Sequence, residues 1–525
     1  MMRTNRFHFR EQPIWFALTL LTLGVFLYLR LNQLGTNPGW YSDEGSDLDI
    51  ARHLAQGRWQ YLALGGTPLV AARVPLFHLL LVGAFEIWGY DILTARLVVA
   101  LFNVATALLL LIAVREMAGK WAALLSVLAL GIMPNALLWS RIAFAYNVQA
   151  FFVVLCWYAL WKFYTLGTRR WLLLASLAAC AAYMTALTGL PLLVCVAIVT
   201  LAVKPRALIW SAPLMLLPGI GFLGLLYWTA PDALLQDLAL TFGRTSDSIF
   251  GQLFNFFISY VYWFDWSVWV AWGFVGLFLI ERRSVRYLTL LMFLAILFNV
   301  MRAFPGVGDL AFHRYLGILP FLALGAAQFL LRVISFLRAQ TKAELVSASL
   351  PRWMLWAKSN VSQSVLANAV LAVLLMIPLF WLAMLDIYSV SAAVSPLQTR
   401  LDSVSVTNPS DAREITDWVN ARTGAQDVVL ASPTIAWLLN AKTADFQQAL
   451  AYEGNATDNY GKGLPRARFL FDASFKNADY VILDRLWRGW ALQRMPALEN
   501  FMGTVESWER VRTQGEFDVY QNPAR

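Results

Sequence analysis

The chain has 525 residues, of which 59% are hydrophobic and only 14% are charged, and its formal net charge is +9. A soluble globular domain is roughly 45–50% apolar and about 25% charged, so this composition excludes an ordinary soluble protein and indicates a chain folded in a lipid bilayer. In a soluble chain the basic balance would suggest a nucleic-acid partner. Here the charges fall mainly between apolar segments, and the positive-inside rule explains them more simply.

Apolar runs of membrane-spanning length recur along the first 390 residues. A transmembrane helix needs about 20 apolar residues, and the N-terminal run lacks a small-residue cleavage site, so we expect a retained first span. The eleven spans that we predict are 14–30, 95–114, 121–139, 148–165, 171–187, 189–203, 207–229, 266–281, 286–301, 315–334 and 366–386. A further run, 74–88, is shorter and suits a helix lying in the membrane interface.

Charge placement sets the predicted orientation. With the N-terminus inside and 74–88 in the interface, basic residues gather on the inner side, as the positive-inside rule requires. The inner basic residues are then Arg3, Arg6, Arg10, Arg115, Lys120, Lys162, Arg169, Arg170, Lys204, Arg206, Arg282, Arg283, Arg286, Arg338, Lys342, Arg352 and Lys358. Counting 74–88 as a span would reverse this pattern downstream. Eleven spans place the C-terminus outside, and we expect a multi-pass protein of the cell membrane.

The last part of the chain has the pattern of a soluble domain. Short apolar runs at 428–430, 480–483 and 517–520 predict strands, and 411–420 predicts an amphipathic helix. We therefore divide the chain into a membrane domain, 1–390, with a long outer loop at 31–94, and an extracytoplasmic α/β domain, 391–525. The predicted fold class is mainly α, polytopic, with about eleven transmembrane helices and this C-terminal α/β domain.

Two adjacent carboxylates, Asp43 and Glu44, follow the first predicted span. Acidic groups at a membrane are costly and tend to mark function. A solvated loop that caps the next helix explains them equally well. We expect that helix to start near Asp47, with an apolar side that would let it lie on the membrane.

The order of several short motifs resembles the GT-C glycosyltransferases, with protein O-mannosyltransferases, the aminoarabinose transferases of lipid A and related bacterial enzymes as the nearest relatives. The matching stretches are Tyr41 to Gly45, Arg73-Val74-Pro75-Leu76-Phe77-His78, Gly89 followed by Ala95-Arg96-Leu97, Ser140-Arg141 to Asn147, and His313-Arg314-Tyr315 to Pro320. They cover mainly the first 165 residues and the segment 313–320. Each motif is short, so the resemblance rests on the order of the motifs and on their predicted place on the outer side.

The resemblance implies an inverting hexosyl- or pentosyltransferase that uses a polyprenyl-phosphate sugar at the outer face. Asp43 matches the family's catalytic base, and Glu44 would position the acceptor, whose class (protein, lipid or glycan) stays open. Because the leaving group is a lipid phosphate, cations must neutralise it, and Arg suits phosphate geometry. The candidate donor-phosphate ligands are Arg73, Arg141 and Arg314, and the candidate substrate ligands are His78, Asn147 and Tyr315. Arg96 has two open readings, a functional one and a structural one.

The sequence also departs from the family. The second acidic residue that many members carry after the third span is absent, since the corresponding stretch ends in neutral Asn147. We therefore expect no obligatory metal, although family members differ in metal use and a divalent ion stays open. Ala72 stands where aminoarabinose transferases carry Glu, which argues against that substrate. The histidines 53, 78 and 313 lack ligand spacing, and the three cysteines lie within apolar runs, so satisfied side chains explain them better than a metal site.

Two alternatives belong to other functional classes. A transporter or glycolipid flippase would show two similar halves with helices broken at midplane, and we find no such repeat. A membrane-anchored binding protein would need a single anchor, which leaves the many spans unexplained.

Overall fold

The computed structural model describes residues 8–67, 73–243, 264–303, 312–348 and 406–525. The predicted span 366–386 and the boundary at residue 390 lie outside the described residues.

The described part of the membrane region is helical. Its helices are α1 (His8–Leu31), α2 (Ser42–Ala55), α3 (Pro75–Trp88), α4 (Ile92–Ala118), α5 (Lys120–Ile132), α6 (Pro134–Trp139), α7 (Ala145–Leu166), α8 (Arg169–Thr185), α9 (Pro191–Val203), α10 (Leu208–Thr229), α11 (Pro231–Gly243), α12 (Phe264–Phe278), α13 (Arg283–Ala303) and α14 (Leu319–Ala348). Single 3₁₀ turns lie at Leu187–Gly189 and Pro205–Ala207, and a longer one at Phe312–Ile318 leads into α14. Two short strands, β2 (Gln60–Tyr61) and β3 (Leu64–Gly65), form a hairpin after α2.

Six helical segments among the described residues are long and apolar enough to cross a membrane, so the chain is a multi-pass membrane protein. They are Pro13–Leu31, Ile92–Ala118, Ala145–Leu166, Pro205–Thr229, Arg283–Met301 and His313–Ser335. The other predicted spans within the described residues coincide with shorter helices. The predicted span 121–139 is divided into α5 and α6, because Pro134 cannot continue the hydrogen-bond ladder and starts a new helix. The count of eleven crossings remains a prediction.

The lipid-facing and interior surfaces of the bundle differ in kind. On α10 many large apolar side chains are exposed, including Trp228 at 88% and Ile209 at 71%, as expected of a helix that faces lipid. Inside, α12 and α14 approach so closely that a Cβ on Gly276 would lie 1.7 Å from the carbonyl oxygen of Gly325. Small residues allow this backbone contact, which is how helices commonly associate in membranes.

The loops predicted to be inner meet at one end of the bundle. The Trp15 indole donates a 3.0 Å hydrogen bond to the carbonyl of Lys120, and the Arg115 guanidinium lies over the same ring. Lys162 pairs with Glu116, and Arg282 covers Trp161. This basic end is the one that the sequence predicts to face the cytoplasm, and the orientation stays a prediction.

Helix α2 differs from its prediction in two ways. It begins at Ser42, five residues before Asp47, because the Glu44 carboxylate accepts a 3.0 Å hydrogen bond from the Tyr41 N–H and caps the first turn. Its residues from Glu44 to Ala51 are buried almost all round, so it does not lie on the membrane surface. It is enclosed by α3 on one side and by the C-terminal region on another.

Residues 406–525, called the tail below, contain a five-stranded sheet. Its strands are β5 (Val428–Leu430), β6 (Lys442–Ala444), β7 (Tyr480–Leu483), β8 (Glu509–Gln514) and β9 (Phe517–Gln521), in the order β6-β5-β7-β9-β8. β5 runs parallel to β6 and β7, and β9 runs antiparallel to β7 and β8. The three predicted strands and the predicted helix, now α15 (Pro409–Asn420), are all present. Continuous apolar runs such as Val428 to Leu430 suit parallel strands covered on both faces.

The remaining elements of the tail are short. They are β4 (Val406–Thr407), α16 (Pro433–Ala436), α17 (Phe446–Tyr452) and α18 (Ala497–Glu506), with 3₁₀ turns at Arg466–Arg468 and Phe475–Asn477 and a π-helical turn, Trp487–Ala491, that continues into Leu492–Arg494. β4 pairs antiparallel with β1 (Trp40–Tyr41), which precedes α2. The tail is therefore joined to the membrane region by a sheet as well as by side chains.

One of these side-chain links is a buried carboxylate. Asp445 accepts hydrogen bonds from the Tyr61 hydroxyl at 3.0 Å and from the Gln448 N–H at 2.8 Å, and Tyr61 also bonds Ser46 of α2. Burial raises the pKa of Asp445 to about 6, and these hydrogen bonds only partly offset that rise.

The substitution Asp445→Asn should make stability less dependent on pH. The pKa of Asp445 in the folded protein exceeds the usual 3.8. Between about pH 4 and pH 6 the carboxyl group is therefore protonated in the folded protein and ionised in the unfolded chain. The wild type consequently loses stability as the pH rises through that window. Asn cannot ionise, and its amide can still bond Tyr61. We expect the variant to gain up to about 3 kcal/mol relative to the wild type between these pH values. Thermal unfolding of both proteins in detergent at the two ends of this pH window measures the effect. If the stability difference between variant and wild type were the same at both pH values, the prediction would be wrong.

Candidate active site

A buried ion pair between Glu44 and Arg96 organises one end of the bundle. Both side chains are 0% exposed, and the guanidinium donates two hydrogen bonds to the carboxylate, at 2.7 and 2.8 Å. Arg96 also donates to the backbone carbonyls of Leu34, Pro38 and Gly39 at 2.7–3.0 Å. The pair thereby ties α4 to α2 and to the turn that follows α1.

Glu44 has no capacity left for a substrate in this arrangement. Besides Arg96 and the Tyr41 N–H, its carboxylate accepts a 2.7 Å hydrogen bond from the Ala143 N–H. Of the two readings of Arg96, the structural one fits these contacts. Glu44, predicted to position the acceptor, is fully buried, and that role stays a prediction.

Next to this pair, four ionisable side chains, Asp43, Asp47, Arg73 and His78, meet at the face of α2 that carries Asp43. Arg73, in the segment before α3, lies 3.5 Å from the Asp43 carboxylate and makes a short ion pair with Asp47. His78, on α3, bonds Asp47 through Nε2 at 2.9 Å and the Val74 carbonyl through Nδ1. The Asp43 side chain is 45% exposed, whereas Asp47 and His78 are buried. Asp43 is therefore the member that an incoming molecule can reach.

Asp47 is a residue that the sequence reasoning missed. Burial alone would raise its pKa, but Arg73 and then His78 outweigh burial and hold the pKa below its usual value. The signal was present, because Asp43 and Asp47 are four residues apart and so share one face of a helix. It was lost because the predicted helix began only at Asp47.

Arg141, a predicted phosphate ligand, and Asn147, a predicted substrate ligand, are both buried. Arg141 is 1% exposed, and its donors serve the backbone carbonyls of Leu29, Asn32 and Asn37. Burial lowers the pKa of Arg141 to about 10, and the positive charge of the nearby Arg96 adds to this effect. Asn147 is also buried, and its amide donates to the carbonyls of Trp139 and Ile142 at 3.1 Å. Both side chains brace the loop between α6 and α7.

Aromatic rings cover the space between α2 and the turn before α14. His313 stacks on Phe144 with 4.3 Å between ring centroids, and it also contacts Trp139 and Tyr146. Tyr41 packs edge-on against Trp139 and Phe144. We call these five rings, Tyr41, Trp139, Phe144, Tyr146 and His313, the aromatic cluster.

The aromatic cluster connects the remaining predicted residues to Asp43. The Tyr146 hydroxyl lies within electrostatic reach of Arg314, Arg73 and Asp43. His313 lies within reach of the same two arginines. Tyr315, half-buried, follows Arg314 in the same turn. The structure thus brings Asp43, Arg73, His78, Arg314 and Tyr315 to the same end of the bundle as the buried Glu44, Arg141 and Asn147.

Within the described ranges, no group of three or more His, Cys, Asp or Glu side chains could hold a metal ion. His53 lies beside Asp49, His78 beside Asp47, and His313 inside the aromatic cluster, so the three histidines have separate surroundings. The expectation that no metal is obligatory remains a prediction.

Comparison with known proteins identifies the architecture. No family model and no curated protein sequence matches the chain. Among solved structures, ArnT from Cupriavidus metallidurans bound to undecaprenyl phosphate matches with a TM-score of 0.59 and 18% identity, over 98% of both chains. Its apo state matches with a TM-score of 0.61 and 17% identity, again over 98% of both. The Archaeoglobus fulgidus oligosaccharyltransferase in its apo form matches with a TM-score of 0.56 and 13% identity, over 94% of this chain and 73% of that one.

The chain has the GT-C fold. ArnT is an aminoarabinose transferase, and it and the archaeal enzyme are both GT-C glycosyltransferases. The likeness to ArnT extends over the tail as well as the membrane region, which is much more of the chain than the sequence motifs covered.

In this GT-C protein, Glu44→Gln should destabilise the fold. The substitution leaves the Arg96 guanidinium buried without its counter-charge, which typically costs about 3–5 kcal/mol. We expect a lower melting temperature in detergent and a lower yield in membranes. The matched control is Glu86→Gln, at an exposed position on α3, which should leave both unchanged. Equal melting temperatures for the two variants would contradict a structural role for the pair.

Proposed function

We propose that this protein is an inverting glycosyltransferase that moves a sugar from a polyprenyl-phosphate donor to an acceptor at the outer face of the membrane. The observation that carries the proposal is a partly exposed carboxylate, Asp43, that lies 3.5 Å from the Arg73 guanidinium at one end of a GT-C fold. The solved ArnT structure that shares this fold holds undecaprenyl phosphate. We infer that the tail is extracytoplasmic and that the basic end with the N-terminus is cytoplasmic, in the cell membrane.

Asp43 is the proposed general base. An acceptor hydroxyl must lose its proton as it attacks the anomeric carbon, and a carboxylate within hydrogen-bond reach accepts that proton. Arg73, 3.5 Å away, favours the ionised carboxylate. Glu44, Asp47 and Asp49 are buried in contacts with Arg96, Arg73 and Arg52 respectively. Asp43 is therefore the best placed of the four acids on α2.

We assign the donor phosphate to Arg73 and Arg314. A leaving phosphate gains charge as the glycosidic bond breaks, and guanidinium groups stabilise that charge in a site with little water. Both arginines lie in the surroundings of Tyr146. Arg141, the third predicted ligand, is assigned to the framework because its donors serve backbone carbonyls. His78 is assigned to holding Asp47, and through it Arg73.

The sugar then lies against the aromatic cluster. The base and the phosphate ligands must bracket the anomeric carbon, and Tyr146 lies within reach of both. Tyr146 and Tyr41 are only partly buried, so their rings can face a sugar. Tyr315 borders the same space. Neither hexose nor pentose is favoured by these contacts.

A divalent ion is not part of the proposed mechanism. One solved structure of the archaeal oligosaccharyltransferase is a complex with zinc and sulfate. In this chain Asp43 and Asp47 are engaged by Arg73, which leaves a cation little negative charge to bind. We expect transfer to persist after chelation.

Asp43→Asn should abolish transfer. We expect a fall in kcat of about 10²- to 10⁴-fold, because the amide cannot accept the acceptor's proton. Purified protein in lipid is incubated with radiolabelled polyprenyl-phosphate sugars and an envelope fraction that supplies acceptors. Asp417→Asn, on the exposed face of α15, is the control and should match the wild type. Equal rates for all three proteins would remove Asp43 from the mechanism.

Arg314→Gln should weaken donor binding. Losing one charged hydrogen-bond partner of the phosphate is expected to cost about 1.5–3 kcal/mol, which corresponds to roughly a tenfold or larger rise in the dissociation constant of undecaprenyl phosphate. Binding is measured by fluorescence or calorimetry in detergent. The control is Arg332→Gln on α14, whose side chain is half-exposed and pairs with Glu281. If both variants bind as the wild type does, Arg314 is not a phosphate ligand.

A further inference from the structure

We propose that the tail acts as a clamp that positions the helix carrying Asp43, and that Gly45 is a positioning residue of the active site. The catalytic part of this inference rests on the proposed function. The contact itself does not, because it is a property of the fold.

The clamp uses the edge of the tail sheet at which such sheets usually bind ligands. β5 lies between β6 and β7, and all three are parallel. In parallel sheets, ligands bind beyond the carboxyl ends of the strands, where the strand order reverses. Here that point is β5, because β6 and β7 lie on opposite sides of it. Here the residues that follow the strands are Ser432 and Pro433 after β5, Asp445 after β6 and Asp484 after β7.

Helix α2 occupies this edge. A Cβ built on Gly45 would lie 1.9 Å from the Pro433 carbonyl oxygen and 3.0 Å from the Trp437 ring. Since no real Cβ tolerates 1.9 Å, only glycine permits α2 to lie this close to the backbone of α16. Glycine disfavours the interior of a helix, so we infer that Gly45 is present in α2 because it permits this contact.

Further contacts hold the helix along its length. Near its end, Arg52 donates to the Trp437 carbonyl at 2.9 Å, and Tyr61 bonds Asp445 just beyond it. Before its start, Trp40 pairs with Thr407 in the sheet formed by β1 and β4. A Cβ on Gly39 would lie 2.4 Å from the Thr407 carbonyl oxygen, so a second glycine permits the same kind of approach.

The membrane region holds the same helix from another side. Glu44, between Asp43 and Gly45, is fixed to Arg96 of α4. Asp43 thus stands on a turn whose neighbouring residues are anchored to two separate bodies of structure, the bundle and the tail. A shift of either anchor moves the Asp43 carboxylate relative to Arg73 and the aromatic cluster. Displacements of about 1 Å in such sites can cost 10²-fold in rate.

The occupied edge also explains what the tail does not offer. Ser432, Asp445 and Asp484 are buried, at 0–1% exposed. The edge that would bind a ligand in an isolated domain is therefore closed by α2 in this protein.

The test compares Gly45→Ala with Gly83→Ala in the full-length protein. Gly83 lies on α3, and a Cβ added there would have no neighbouring atom within 4 Å, so its alanine variant should match the wild type. For Gly45→Ala we expect kcat to fall by about 10²-fold while donor binding is nearly unchanged. Hydrogen exchange of the α2 amides should become faster, a readout that does not depend on activity.

A second variant keeps the test decisive if Gly45→Ala does not fold. Arg52→Lys retains the charge but loses the fork that reaches the Trp437 carbonyl, and it should show a smaller change of the same kind. Unchanged exchange and kcat in a folded Gly45→Ala protein would overturn the clamp. If α2 exchanges faster while the wild type transfers no sugar from any polyprenyl-phosphate donor, the clamp stands as structure and the proposed function is what fails.

Discussion

The arrangement of the whole site depends on one buried ion pair, Glu44 with Arg96. Taking two charges out of water costs several kcal/mol for each ion, and attraction offsets this only where the remaining donors and acceptors are satisfied. That condition is met here, because Arg96 also bonds three backbone carbonyls and Glu44 also bonds two N–H groups. The pair therefore fixes the relative position of α4, α2 and two turns in a region where loose polar groups would be expensive.

Beside this ion pair, Arg73 and His78 contact Asp47 and leave Asp43 accessible. Asp47 is neutralised by Arg73 and braced by His78, so Arg73 can approach Asp43 without burying an uncompensated cation. The same guanidinium then faces both the proposed base and the proposed phosphate site. Arg314, supplied by a distant part of the chain, adds a second positive charge within electrostatic reach of Tyr146. The mixture of charges suits a reaction in which a proton moves to one place and negative charge develops at another.

The sequence predicted the elements better than it predicted the site. Apolar runs locate membrane helices well because every backbone group in a bilayer must be bonded within its own segment, and the strands near Val428 and Tyr480 carry equally local signals. The roles of Glu44 and Arg141 depend instead on partners far along the chain. Arg141 bonds carbonyls about a hundred residues before it, and no spacing rule reports that. Asp47 was missed for a local reason, since the start of α2 is set by a cap at Tyr41.

The division of labour between Asp43 and Glu44 follows from helix geometry. Consecutive residues of an α-helix point about 100° apart, so two adjacent acids in the first turn cannot face the same surroundings. Glu44 turns towards Arg96 and the bundle, and Gly45, a further step round, meets the tail. Asp43 shares its face with Asp47, one turn on, but Arg73 and His78 cover Asp47, so only Asp43, at the start of the helix, stays accessible. Of the two adjacent acids, Glu44 has a structural role and Asp43 is the proposed catalytic residue. Gly45, which follows them, allows the tail to hold both in place.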